Sequence, residues 1–176
     1  KIKMKNSFHQ ILIKDSNVII EVEIKKKIKK ISINQFIKNY KISNFWKGKF
    51  FIKRLIKKIF KYQLSDRMLW NKNFWDVINI NLFETEIRLN ENINRLPKEI
   101  KKSASEKRFY DIMKYKELIL KNIELGYPLY IHSSCLNFLG AKIKNDGYYI
   151  LDGSRRLSAH ILAQNNPSIL VINLNE

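Results

Sequence analysis

Cysteine is almost absent from this chain of 176 residues, with Cys135 the only one. A single cysteine excludes an intrachain disulfide, so nothing in the sequence points to an oxidising compartment. Proline and glycine are scarce, three and five in number, so each one marks a turn or a helix end worth reading. There is no Gly/Ser linker and no internal repeat. No apolar run approaches the roughly 20 residues that a membrane-spanning helix needs. The opening Lys1-Ile2-Lys3-Met4-Lys5 is basic, but no apolar stretch follows it, so it does not read as a signal peptide. A start on Lys suggests a trimmed or incomplete N-terminus. The expectation is a soluble, cytoplasmic protein.

Acidic residues are also few, 16 Asp and Glu against 34 Lys and Arg, for a formal charge of +18. A field of that size favours polyanions such as nucleotides, nucleic acid or an acidic membrane surface. The excess is mainly Lys, however, and it accompanies abundant Ile and Asn. All three residues share A/T-rich codons, so charge alone does not identify a partner. Hydrophobic residues at 45% and aromatics at 12% exclude a disordered chain and supply a buried core.

Along the chain, the β-branched runs Gln10 to Ile13 and Val18 to Ile24, separated by Lys14-Asp15-Ser16-Asn17, predict a hairpin. A lysine run follows from Lys25 to Lys30, then a short helix from Ile33 to Tyr40. Apolar residues at 51, 52, 55, 56, 59 and 60 recur at helical spacing between Lys and Arg. Such a basic amphipathic helix over residues 50–60 can pack on its own domain, cross a phosphate backbone or lie on an acidic membrane surface. Trp46, Trp70 and Trp75 bracket it as core anchors. From Asp76 the composition changes. Val77 to Phe83 reads as a strand with Glu84-Thr85-Glu86 directly behind it. A helix capped by Ser103 or Ser105 runs to about Leu125, where Gly126 and Pro128 end it. Strands follow at Leu129 to His132 and Tyr148 to Leu151, joined through the turn Asn145-Asp146-Gly147. A helix from Ser154 to Gln164 and a strand from Ile169 to Leu174 complete the order strand, helix, strand, strand, helix, strand.

The segment Asp152-Gly153-Ser154-Arg155-Arg156 carries the strongest chemical signal. A strand ends, a glycine turns the chain, and a helix opens with two arginines in its first turn. Free N–H groups and the helix dipole make that end positive, so it ordinarily prefers acidic residues. Two arginines there oppose the helix unless they point outward as surface charges or an anion occupies the site. With an anion, backbone N–H groups, the Ser154 hydroxyl and two guanidinium forks converge on it.

The stretch Tyr148-Tyr149-Ile150-Leu151-Asp152-Gly153-Ser154-Arg155-Arg156-Leu157-Ser158-Ala159 resembles the box of the ParB/sulfiredoxin superfamily. The preceding Ile119 to Ile131 is similar to its helix–Gly–Pro–strand segment. In partition proteins the box binds the phosphates of a cytidine nucleotide, and the free serine kinases share the fold. The resemblance covers about residues 76–176. It implies an α+β fold, with a ParB/sulfiredoxin-like nucleotide-binding domain over 76–176 behind a mixed, basic N-terminal region over 1–75. It further implies phosphate binding by Gly153, Ser154, Arg155, Arg156 and His160, with a nucleoside di- or triphosphate and Mg as cofactors. Phosphoryl transfer or nucleotide hydrolysis would follow, with Glu84 or Glu86 as base and Asp152 holding a metal or fixing Arg156. Ser154 stands where sulfiredoxin has its catalytic cysteine, so sulfinic-acid reduction is not expected, and Cys135 reads as a buried small residue. His132 and Cys135 are too few ligands for zinc. The alternative reading is a ParB-like DNA-binding protein or nuclease that clamps DNA with the Lys-rich N-terminal region; a non-catalytic scaffold is a third.

Overall fold

The computed structural model describes residues 2–4, 18–46, 72–90 and 92–175. The 50–60 segment, Trp70 and the first arm of the expected hairpin lie outside the described residues. In chain order the elements are β1 (Ile2–Met4), β2 (Ile20–Lys30), α1 (Ile33–Trp46), α2 (Lys72–Asp76), β3 (Ile78–Leu89), α3 (Leu96–Ser103), α4 (Glu106–Leu120), β4 (Leu129–His132), α5 (Ser133–Phe138), β5 (Tyr148–Asp152), α6 (Ser154–Leu162) and β6 (Ser168–Leu174). The six strands form one mixed sheet in the order β1-β2-β3-β6-β4-β5, with β4 and β6 parallel and every other neighbouring pair antiparallel. The protein is an α+β fold, as its alternating runs lead one to expect.

Strand residues alternate between two cores, because successive side chains of a strand point to opposite faces. Phe83 and Ile87 of β3, Tyr130 of β4 and Ile169 and Val171 of β6 meet Leu96, Ile112, Ile119, Leu157 and Ile161 of α3, α4 and α6. On the other face, Ile80 and Leu82, Leu129 and Ile131, and Leu170 and Ile172 pack with Phe36, Phe74, Cys135 and Leu136 of α1, α2 and α5. β6 is buried on both sides, which explains its unbroken apolar run Ile169 to Ile172.

Several boundaries differ from those read off the sequence. Strand β3 continues to Leu89 instead of stopping at Phe83, because β2 pairs with it along almost its whole length. The Thr85 hydroxyl also donates to the Pro167 carbonyl (2.6 Å). The lysine run 25–30 is therefore the second half of a strand. The helix expected behind Ser103 or Ser105 is α4, which ends at Leu120 and not near Leu125, and α3 is an additional helix ahead of it. Ala104 is extended, and the Ser105 hydroxyl accepts the Arg108 N–H (3.4 Å), which starts α4 afresh. Asn122 supplies the left-handed residue just past α4 (φ +57°), so Gly126 (φ +76°) turns the following loop instead of ending the helix. Helix α5 has no periodicity long enough to read in sequence. The His132 ring caps it, accepting the Ser134 N–H (3.3 Å).

The division near residue 76 does not separate two layers. Val18, Ile20, Val22 and Ile24 join one core, while Ile31 and Phe36 join the other. The described part of the N-terminal region is thus sheet and helix of the same body. Among the described residues no helix is long and apolar enough to cross a membrane.

Candidate anion-binding site

At the end of β5 the chain turns sharply at Gly153 (φ +91°) and enters α6 at Ser154. Glycine is required twice over at this point. The left-handed φ disfavours any side chain, and a Cβ would lie 2.8 Å from Arg156 Nη2 and 2.9 Å from Pro128 Cα. The strand–glycine–helix turn is therefore built around the Arg156 side chain.

The two arginines have separate fates. Arg156 points inward and is 2% exposed. Its Nη2 donates to the Asp152 carboxylate (3.1 Å), and its Nη1 donates to the carbonyls of Leu125 (3.2 Å) and Tyr127 (3.1 Å). Its Nε is buried without a hydrogen-bond partner. Burial lowers its pKa, while Asp152 and Tyr115 oppose that shift. The guanidinium expected to grip phosphate instead ties the box to the 125–127 segment. Asp152 pairs with this guanidinium, the second of the two roles the sequence left open to it.

Arg155 stays partly exposed and pairs with Asp111 of α4 (2.6 Å). From the same helix Arg108 reaches over, its Nη2 donating to Ser154 Oγ (2.9 Å), while its Nε is buried with no partner. Burial first, and the Arg155 charge second, lower the Arg108 pKa. Two like charges from two helices thus stand near each other at the start of α6, and of the two only Arg155 has an ion-pair partner among the described residues. The N–H groups of Ser154, Arg155 and Arg156 lack intrahelical acceptors, as at any helix N-terminus. Arg108 and Asp111 were missed in the sequence because they stand more than 40 residues from the box, and only the packing of α4 on α6 delivers them.

His160 follows Arg156 by one turn on α6. Its Nδ1 is buried without a partner, and burial together with the Arg156 charge lowers its pKa to about 4. A pKa that low leaves the ring without a positive charge at pH 7. Cys135 is fully buried and its thiol is pushed up to about 11 by burial, in keeping with a small core residue.

The structure does not bring Glu84 and Glu86 to the box. They lie in the middle of β3, not after it, and point to the Ile80–Leu82 face, opposite the face that α4 and α6 cover. Strand β3 is also three positions from β5 in the sheet, about 14 Å at the usual strand spacing. Glu86 is paired with Lys25 and lies 3.6 Å from Arg88, and the Lys25 hydrogen bond lowers its pKa. Glu84 stands exposed opposite Lys26 on one side and Ser168 on the other. Strand geometry, invisible while β3 was read as ending at residue 83, is the reason.

Compared with known proteins, the chain matches no family model, no curated protein and no solved structure.

Proposed function

We propose that this chain binds a phosphate ester, a nucleoside di- or triphosphate first of all, at the N-terminus of α6, in a domain similar to the ParB/sulfiredoxin type. One observation carries the reading. The Arg108 guanidinium of α4 reaches Ser154 at the start of α6, near enough to Arg155 for that charge to lower its pKa, while Arg155 itself is paired with Asp111. A phosphate there would accept the free backbone N–H groups and relieve the arginine repulsion. The grip is thus Arg108, Ser154 and Arg155, with Gly153 giving the backbone its close approach and Arg156 holding the turn from behind.

The residues do not fit a magnesium ion held by the protein at this place. Asp111 and Asp152 are both engaged by arginines. Among the described residues no group of three or more His, Cys, Asp or Glu stands together. With Glu84 and Glu86 on the other face, no described carboxylate at the box is free to act as a general base either. The reading supported best is therefore binding, without a phosphoryl-transfer step.

The test is calorimetric titration with ATP, ADP, CTP and GTP, each with and without magnesium. Saturable binding is expected, weakened by about 1.5–3 kcal/mol in Arg108→Ala and in Arg155→Ala, the scale of hydrogen bonds to charged groups. No binding, or binding indifferent to both substitutions, removes the proposal. DNA binding is a second reading that rests on the lysines of β2, since residues 25–30 are all exposed. It requires an affinity for DNA that falls steeply with salt.

A further inference from the structure

On the face of the sheet away from α4 and α6, a cleft of about 190 Å³ opens between β2, α1 and the loop before β4. Ile31 and Leu170 lie along its floor, Tyr127 forms one wall, and Lys29 and Lys38 line it from opposite elements. Two bulges in β2 set the cationic side. The pairing with β3 shifts between Ile24 and Lys26 and again between Lys27 and Lys29. In an unbroken strand, residues three apart point to opposite faces. The bulge at Ile28 instead puts Lys26 opposite Glu84 and Lys29 opposite Leu82, so both lysines face the cleft side. Bulges that re-aim side chains occur preferentially beside functional sites.

The other wall is held rigidly. At the start of α1 the Ser32 hydroxyl accepts the Gln35 N–H (3.3 Å), and Gln35 Oε1 accepts the Ser32 N–H (3.1 Å). One turn on, Asn39 Oδ1 accepts the Tyr127 N–H (2.6 Å) and Asn39 Nδ2 donates to the Tyr127 carbonyl (3.4 Å). Helix α1 is thereby fastened to the loop that forms the far wall. Lys29 and Lys38 make no hydrogen bond or ion pair with another described residue. Glu124 is the one acidic residue lining the cleft, so cations outnumber it two to one.

We propose that this cleft binds a small organic anion, with a carboxylate or phosphate head between Lys29 and Lys38 and a short apolar body over Ile31, Leu170 and the Tyr127 ring. The head trades its hydration for two ammonium donors, and the body covers apolar surface that lies beside them. The site is separate from the α6 terminus, which lies beyond the 125–127 segment.

The experiment is an amide chemical-shift titration of the full chain with inorganic phosphate, butyl phosphate and butyrate. Saturable shifts are expected at Lys29, Gln35, Lys38 and Tyr127, with butyl phosphate tighter than inorganic phosphate by about fourfold for each methylene buried. The tighter of butyl phosphate and butyrate identifies the head group. Lys29→Ala combined with Lys38→Ala should weaken binding at least tenfold. Arg108→Ala combined with Arg155→Ala should leave the cleft shifts unchanged, so this site and the α6 site fail independently. Shifts confined to Ser154–Arg156, or cleft shifts that survive the double lysine substitution, overturn the proposal.

Discussion

Replacing Arg156 with Ala should unfold the box before it affects any ligand. The side chain is 2% exposed and closes three internal hydrogen bonds, to Asp152, Leu125 and Tyr127. Its loss takes the guanidinium from the Asp152 carboxylate and one donor from each of two carbonyls, Tyr127 keeping only Asn39 Nδ2, around a void. Removing one partner of a buried ion pair costs about 3–5 kcal/mol. Domains of this size are stable by about 5–15 kcal/mol, so the loss is a large fraction of the whole. At roughly 2–4 °C per kcal/mol for a chain of this length, Tm should fall by about 6–20 °C. Urea unfolding followed by circular dichroism measures the change directly. Arg156→Met, which fills the space without charge, should remain several kcal/mol below the parent, and adding Asp152→Asn should recover part of the deficit. This reverses what an arginine at a helix N-terminus suggests in isolation, where its removal would be neutral or slightly stabilising. A Tm unchanged within about 2 °C, together with a lost affinity for nucleotide, would refute the argument and make Arg156 a ligand-binding residue.

Gly153→Ala should destabilise by at least about 1–3 kcal/mol, because its Cβ meets the Pro128 backbone at 2.9 Å in a left-handed conformation; unchanged urea unfolding counts against the tight turn. His160 gives a pH signature. Its folded pKa is depressed to about 4 from an ordinary 6.5, so the unfolded chain takes up the proton first, and stability is lost as pH falls from about 6.5 to 4. The loss should approach 3 kcal/mol at most, and His160→Gln should flatten that part of the profile; a parent profile that is already flat sinks the burial argument. Cys135 should resist Ellman's reagent at pH 8 in the native protein and react at once in denaturant, since its thiol is buried and pushed up to about 11. Rapid modification of native protein would contradict the second core.

Local chemistry was enough to locate much of this protein. Short apolar and aromatic runs between turn residues announced β4, β5 and β6, and the Asp-Gly-Ser run at 152–154 marked a strand that turns into a helix, because short-range sterics and hydrogen bonding decide such features. The two-sided burial of β6 was also written in its continuous apolar stretch. Partnerships across long sequence distances were not legible. The length of β3 depends on β2, some 60 residues earlier, and that pairing carries Glu84 and Glu86 away from the box on the far face of the sheet. The divergence of Arg155 and Arg156 had the same origin. Adjacent residues on a helix point about 100° apart, and only the tertiary packing decided that one direction met Asp111 and the solvent edge while the other met Asp152 and two buried carbonyls. Sequence thus determined where the backbone turns and where two arginines enter the N-terminus of a helix. The folded structure alone decided which guanidinium stays at the edge of that turn and which is buried beneath it, because a buried charge must go wherever its internal acceptors are.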